Sequence, residues 1–245
     1  MPTKPLQVIM PLAGKGGRFI EKGYTFPKPL IEIEQKSMIE LVIQNLAVPE
    51  PARFSFICRK DHVTTFYLDQ VLQLLVPNSS VLAIEHETAG ALCSVLLMIE
   101  IIDPEGELLI ANGDQYVSSS IQPFYEKCRQ SGTDGCILTF SSTHPRWSFA
   151  RTDKDGVVTS VSEKRPISRQ ATAGLYYFRR AADFLKGAEH LILKGLRTSG
   201  QFFVCPVYNE LILAGKRITT HHLPDGAMHS LGTPEDVELF LRNTR

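Results

Sequence analysis

Val8-Ile9-Met10-Pro11-Leu12-Ala13-Gly14-Lys15-Gly16-Gly17-Arg18, running on through Phe19-Ile20-Glu21-Lys22-Gly23-Tyr24-Thr25-Phe26 to Pro27-Lys28-Pro29, is the stretch that decides the fold. Residues 6–13 form a short apolar run ending in glycines, which reads as a buried strand feeding a loop. A buried strand that delivers a glycine loop from its C-terminal end belongs to an open α/β sheet, where ligands bind at that edge. The glycines let backbone N–H groups approach phosphate oxygens that a Cβ would hold off. Arg18 adds a planar fork of donors and Lys28 a mobile point charge, carried on a segment stiffened by Pro27 and Pro29. No Gly-Lys-Ser/Thr follows, so this is not a Walker loop, and no glycine stands three residues after Gly16, so it is not G-x-G-x-x-G. Residues 14–29 read as one long loop.

Outward from this loop, the pattern alternates. Ser37 is expected to cap a helix, with Glu40 three residues on, and Ile39, Val42, Ile43 and Leu46 share its apolar face. Residues 53–58 read as a second strand, and Asp61 as the cap of a helix running to Val76, where Pro77 ends it. Residues 80–84 read as a third strand, 89–102 as a helix and 107–111 as a fourth strand leading into Asn112-Gly113-Asp114. Strands alternating with helices over short connections predict a parallel sheet covered on both faces. The second half is richer in strand-like runs, at 135–141, 148–152, 157–162 and 173–179, with Asp155-Gly156 as a hairpin turn. Helices return at 181–194, 207–214 and 234–241, the last capped by Thr233 with Asp236 three residues on. One domain over residues 1–245 is expected, with an alternating strand–helix half (about 1–115) and a strand-rich half (about 116–245).

The chain has 245 residues, 43% hydrophobic and 21% charged, with a formal net charge of zero, so a broad electrostatic footprint for nucleic acid is not supported. Cys58, Cys93, Cys128, Cys136 and Cys205 show no C-x-x-C spacing and are odd in number. They read as buried thiols in a reducing compartment rather than a disulfide framework or zinc site. The N-terminal apolar run is too short for a signal peptide, and no stretch approaches the roughly 20 apolar residues of a membrane span, so the cytoplasm is the expected location.

Leu12-Ala13-Gly14-Lys15-Gly16-Gly17-Arg18, then Pro27-Lys28, resembles the opening of the sugar-phosphate nucleotidyltransferases, which read L-A-G-G-x-G-T-R and then P-K. Lys15 and Gly17 depart from the commonest pattern, and Gly17 loses a hydroxyl there. Four further segments are similar to the same family in the same order. They are Thr88-Ala89-Gly90 within a G-T-A-x-A-L-like turn; Asn112-Gly113-Asp114; Glu163-Lys164 followed by Ala173-Gly174; and Ser230-Leu231-Gly232-Thr233-Pro234-Glu235-Asp236. Taken singly, each has a plainer reading: a solvated loop, a helix capped by Thr88, a turn aspartate, a charged turn, a core strand. Their common order from residue 12 to residue 236 is what carries the resemblance.

The resemblance implies a Rossmann-like three-layer sandwich around a mixed, mostly parallel sheet, of the GT-A-like nucleotidyltransferase kind. It implies an enzyme that joins an NTP to a phosphorylated acceptor, a sugar 1-phosphate being the family's commonest choice, and releases pyrophosphate, making an activated precursor of the kind used for surface polysaccharide. Arg18, Lys28 and Asp114 would be catalytic. Leu12, Ala13, Gly14, Lys15, Gly16, Gly17, Arg18, Lys28, Thr88, Ala89 and Gly90 would hold the nucleotide. Asn112, Glu163, Lys164, Ala173 and Gly174 would hold the acceptor. Asp114 would bind Mg²⁺. Many members place a second metal-binding Asp where this chain has Ser230, a far weaker ligand, so either Asp114 and the phosphates hold Mg²⁺ with waters, or Asp225 or His229 supplies a different second group. His221, His222 and His229 show no recurring ligand spacing and read as one strand's two faces plus a neighbour. A homo-oligomer is compatible with the sequence. Three alternatives stay open: a cytidylyltransferase for a phosphocholine-like or amino-acid-like phosphate, a nucleotide-binding module without turnover, and a GT-A glycosyltransferase. Asn112 stands where the glycosyltransferase would want the first Asp of D-x-D.

Overall fold

A computed structural model describes residues 4–243; the N-terminal and C-terminal extremes of the expected 1–245 domain lie outside the described residues. In chain order the strands are β1 (Leu6–Pro11), β2 (Glu32–Ile33), β3 (Lys36–Ser37), β4 (Ala52–Arg59), β5 (Ser80–Ile84), β6 (Leu108–Ala111), β7 (Gln115–Val117), β8 (Gly135–Ser141), β9 (Ser148–Thr152), β10 (Val158–Glu163), β11 (Gln170–Phe178), β12 (Ile218–His222) and β13 (Met228–Ser230). Nine of them form one sheet. β5, β4, β1 and β6 lie side by side and parallel; β11 runs antiparallel between β6 and β8, and β12 returns parallel to β8. The β9–β10 hairpin joins the early part of β11 through the pairing of Ala171 with Phe149. The sheet is therefore mixed and mostly parallel.

Side-chain alternation explains the three layers. Along β1, Leu6, Val8 and Met10 face one core and Ile9 the other; along β4, Phe54, Phe56 and Cys58 face the first and Ile57 the second. Strands apolar on both faces are those of a sheet covered on both sides. Helix Met38–Leu46 and the buried Leu68, Leu72, Phe124 and Phe240 cover one face; Leu92, Val95, Phe184, Leu191 and Tyr208 cover the other. Gln7, buried among these strands, is satisfied by the backbone of Asp103 and Glu107. No helix among the described residues is long and apolar enough to cross a membrane.

Ser37 accepts from the Glu40 N–H and Thr233 from the Asp236 N–H, both as their spacing predicts. Five local expectations are corrected. Residues 14–29 are not all loop: Gly17–Glu21 is a helical turn and Lys28–Leu30 a 3-10 turn. The helix expected over 61–76 is two helices, Lys60–Phe66 and Leu68–Leu75, broken at Tyr67 with φ +54°. The β-branched run Val63-Thr64-Thr65 weakens the helix before the break, and the break lets Leu68 and Leu72 bury fully while Tyr67 stays exposed. Asp61 lies in the first turn, bonded to Arg59, instead of capping. The helix expected over 89–102 covers only Ala91–Leu96, because Gly90 is extended at φ +124°; a 3-10 turn at Ile99–Ile101 follows. Thr88 does not cap it: its hydroxyl donates to the Gly90 carbonyl at 2.9 Å and meets Ser94 Oγ at 2.7 Å.

Candidate active site

β1 and β6 are parallel neighbours, so the segments leaving their C-terminal ends emerge side by side. One carries the glycine loop and the other Asn112-Gly113-Asp114. Between them lies a cleft of about 320 Å³, lined by Leu12, Gly14, Gly16, Gly17, Arg18 and Lys28 from one segment and Asn112, Gly113 and Asp114 from the other; Pro11, Phe19, Pro29, Ala91 and Gly232 complete it. Gly16 has φ +65°, and a Cβ there would lie 3.2 Å from that of Lys28, so glycine lets the loop close against the lysine.

Lys28 Nζ lies 2.5 Å from Asp114 Oδ2, with both side chains largely shielded, at 22% and 29% exposed. The lysine holds one oxygen of the carboxylate, and Oδ1 has no partner among the described residues. Arg18 is exposed, and its side chain makes no hydrogen bond or ion pair among the described residues. Lys15 does not line the cleft; its ammonium pairs at 3.0 Å with Glu87, tying the glycine loop to the turn that holds Thr88, Ala89 and Gly90. At that turn, a Cβ on Gly90 would lie 2.3 Å from the Phe202 carbonyl oxygen, so only glycine admits the Gln201–Phe202 backbone.

The residues expected on the acceptor side are spread further. Gly174, at φ +72° in a bulge of β11, accepts through its carbonyl from the Asn112 N–H at 2.9 Å. A Cβ on it would meet Asn112 Nδ2 at 2.7 Å and run into Gln115 Oε1. Ala173 is wholly buried in the core. Glu163 closes β10 and accepts from the Ser148 hydroxyl. Burial pushes its carboxyl above the ordinary range, against the opposing Ser148 bond and the Lys164 charge. Lys164 follows at φ +54°, its N–H bonded to the Trp147 carbonyl at 3.0 Å and its ammonium 4.9 Å above the Phe203 ring. Ala13, Lys15, Thr88, Ala89, Gly90, Glu163, Lys164, Ala173 and Gly174 are not among the cleft's lining residues.

A network that the motifs do not announce sits beside Gly232. Arg146 donates to both carboxylate oxygens of Asp236, at 3.1 and 2.8 Å, and to Ser230 Oγ at 2.6 Å; Ser230 in turn donates to Asp236 at 2.9 Å. Burial works to raise the Asp236 carboxyl, but the bonds from Arg146 and Ser230 outweigh it and hold the group below its usual value. A Cβ on Gly232 would stand 3.3 Å from Ser230 Oγ and 3.4 Å from Asp114 Oδ2, so the bare glycine leaves room between them. Of the two further metal candidates, His229 packs against Tyr116 and Phe240 with Nε2 3.2 Å from Ser118 Oγ, and Asp225 is exposed; neither lines the cleft. No group of three His, Cys, Asp or Glu suited to a metal exists among the described residues. A single carboxylate with an open oxygen fits a hard divalent cation shared with phosphates, because such an ion keeps several waters and takes few protein ligands.

The family profile of nucleotidyl transferases matches residues 7–191. Among solved structures, a nucleoside-diphosphate-sugar pyrophosphorylase from Vibrio cholerae is 28% identical, with a TM-score of 0.84 over 96% of this chain and 99% of that one. A protein from Bacillus anthracis provisionally described as a glucose-1-phosphate thymidylyltransferase, in complex with a sucrose, is 19% identical with a TM-score of 0.76, over 98% and 95% of the two chains. A UDP-glucose pyrophosphorylase from Acinetobacter baumanii is 14% identical with a TM-score of 0.72, over 98% and 93%. The last two likenesses are of fold. No curated protein sequence matches the chain. The chain belongs to the nucleotidyl transferase family and is a nucleotidyltransferase enzyme.

Proposed function

We propose that the protein transfers a nucleotidyl group from an NTP to a sugar 1-phosphate and releases pyrophosphate. The observation that carries this reading is the convergence of Arg18, Lys28 and Asp114 on one glycine-walled cleft at the ends of β1 and β6. A phosphate oxygen of the acceptor attacks the α-phosphorus in line; a new P–O bond forms and the bond to pyrophosphate breaks. A phosphate monoester is already anionic, so no general base is required, and the work left to the protein is positioning and charge stabilisation. Gly14, Gly16 and Gly17 present backbone donors to the triphosphate, and Arg18 steadies the leaving pyrophosphate. Lys28 leaves Asp114 for a phosphate oxygen. Asp114 would hold Mg²⁺, which when bound would spread the phosphates' negative charge. The Thr88–Gly90 turn faces the base, and Glu163, Lys164 and Gly174 the acceptor. On this reading the chain acts as one unit in the cytoplasm, its two halves serving the two substrates.

The test is pyrophosphate release with each NTP and dTTP against a panel of hexose 1-phosphates, phosphocholine and other phosphomonoesters, with and without Mg²⁺. Turnover with a hexose 1-phosphate is expected. Turnover with phosphocholine alone replaces the acceptor, and NTP binding without pyrophosphate release from any acceptor rejects the catalytic reading.

A further inference from the structure

We propose that Phe203 is a positioning residue: its ring holds the Lys164 ammonium in place without neutralising it, so that an incoming phosphate meets a full positive charge. The inference rests on the reading of Lys164 as the acceptor's phosphate-holding cation and adds what fixes it there.

Three observations carry it. First, the Lys164 ammonium lies 4.9 Å from the centre of the Phe203 ring and has no ion-pair or hydrogen-bond partner among the described residues, whereas Lys28 and Lys15 are each paired with a carboxylate. An aromatic face attracts a cation through its quadrupole, which steers the ammonium but leaves its charge whole. Second, the backbone at Lys164 is held in the left-handed region, at φ +54°, by its N–H bond to Trp147. That conformation is uncommon for a side chain of this size and is the kind of local strain found where a group must be aimed. Third, the ring stands on a fixed segment. Phe202 donates to the Ala89 carbonyl at 2.7 Å and accepts from Leu92 at 3.2 Å, Thr198 and Gln201 exchange two backbone bonds, and Val204 and Cys205 are buried just beyond. Arg197 stacks over Phe202 at 4.5 Å, closing the other side. The same short segment thus clamps the Gly90 turn through one phenylalanine and steadies Lys164 through the next.

The test uses the full chain with its lysines ¹³C-dimethylated, which keeps their charge, and the Lys164 signal assigned by its loss in Lys164→Arg. In the wild type that signal is expected upfield of exposed lysines, shifted by the ring current of Phe203. Phe203→Leu, which keeps bulk and removes the π face, moves it to the exposed position; Phe203→Tyr restores it. Inorganic phosphate then serves as the probe. Its midpoint at the Lys164 signal is expected to weaken about three- to tenfold in Phe203→Leu, the size of one partly desolvated cation–π contact, and to recover in Phe203→Tyr. A thermal melt of each variant confirms that it folds. If phosphate moves the Lys164 signal equally in wild type and Phe203→Leu, the positioning role is refuted and the acceptor-site reading stands. If phosphate never moves that signal, the phosphate-holding role of Lys164 falls, and this inference falls with it.

Discussion

Replacing Lys28 by Met separates what the Lys28–Asp114 pair does for stability from what it does for chemistry. At 2.5 Å the gross attraction is about 2 kcal/mol in a water-like dielectric of ~80 and about 7 kcal/mol at the ~20 suited to a protein surface. Most of that is offset by the water both groups give up. With roughly a quarter of each side chain still open, the net loss belongs near the upper end of exposed pairs, about 1 kcal/mol. For a chain of this length that lowers the melting temperature by about 2–4 °C. Catalysis is affected through a different term. If Lys28 meets the phosphates once substrate binds, its loss removes a preorganised donor from the transition state, an effect of about 10²–10³ in turnover. Methionine keeps most of the bulk against Pro29 and Gly16, so the loop is not opened. The assays are a thermal melt and steady-state pyrophosphate release on the same preparation. The reasoning also expects tighter divalent-cation binding by the free variant, because the competing ammonium has left Asp114. Near-normal turnover with a melting shift of a few degrees would show that the pair is structural only and refute the argument.

Four further outcomes are expected. Asp114→Asn removes the cation-dependent part of turnover while melting within a few degrees of wild type; an unchanged dependence of rate on Mg²⁺ concentration would place the metal elsewhere. Gly90→Ala costs several kcal/mol, above about 3, because its Cβ meets a backbone carbonyl at a φ closed to alanine; a near-normal denaturant midpoint would contradict that. Glu163 has a raised carboxyl, so the folded state holds its proton to higher pH than the unfolded chain does. Its contribution is therefore fully present below the unfolded value of about 4.3 and is lost as pH rises through the folded one. Glu163→Gln should remove that part of the decline, seen as a melting-temperature difference from wild type that grows in the variant's favour from pH 4 to pH 7; a difference flat with pH would rule it out. Ser230→Asp puts a further carboxylate beside Asp236 and Asp114, so it should lower the melting temperature without cation and regain it with Mg²⁺; insensitivity to Mg²⁺ would separate position 230 from the metal's surroundings.

The sheet and the cleft floor were legible because their signals are local. Leu6–Pro11 and Leu108–Ala111 are apolar runs ending on turn residues, and a parallel sheet puts the ends of such runs on one edge. What was not legible depends on partners far away in sequence. Gly90 is extended because Phe202 approaches it, and no window around residue 90 contains Phe202. Arg146 and Asp236 are 90 residues apart, and each alone looks like a surface charge. The aspartate had a visible local role as the third residue after the Thr233 cap, which hid its bidentate partner. The break at Tyr67 follows from burying Leu68 and Leu72, a tertiary demand that the apolar periodicity of 61–76 does not encode. Gln115, next to Asp114, carries no motif of its own in the sequence. Its buried Oε1 has no hydrogen-bond partner among the described residues, and it lies where only a glycine at 174 leaves space.

The charges around the cleft fall into two sorts, and the division bears on how a neutral chain handles a polyanion. Lys28 and Lys15 are parked on Asp114 and Glu87, while Arg18 is unpaired and Lys164 rests on a ring. On the proposed function, the unpaired cations need no rearrangement and would give the first attraction for an NTP, screened beyond about 10 Å at ordinary salt. The parked ones avoid repulsion in the free state, at the cost of giving up their carboxylates when phosphate arrives. On the proposed function, that exchange would free the Asp114 oxygen now held by Lys28, so that a single carboxylate would serve as lysine anchor before binding and as metal ligand after it. Ser230 fits the same economy of charge. A carboxylate there would face Asp236 and Asp114 with Arg146 as the nearest cation, whereas the hydroxyl accepts from Arg146 and donates to Asp236, adding no charge to a place that, on the proposed function, would hold phosphates.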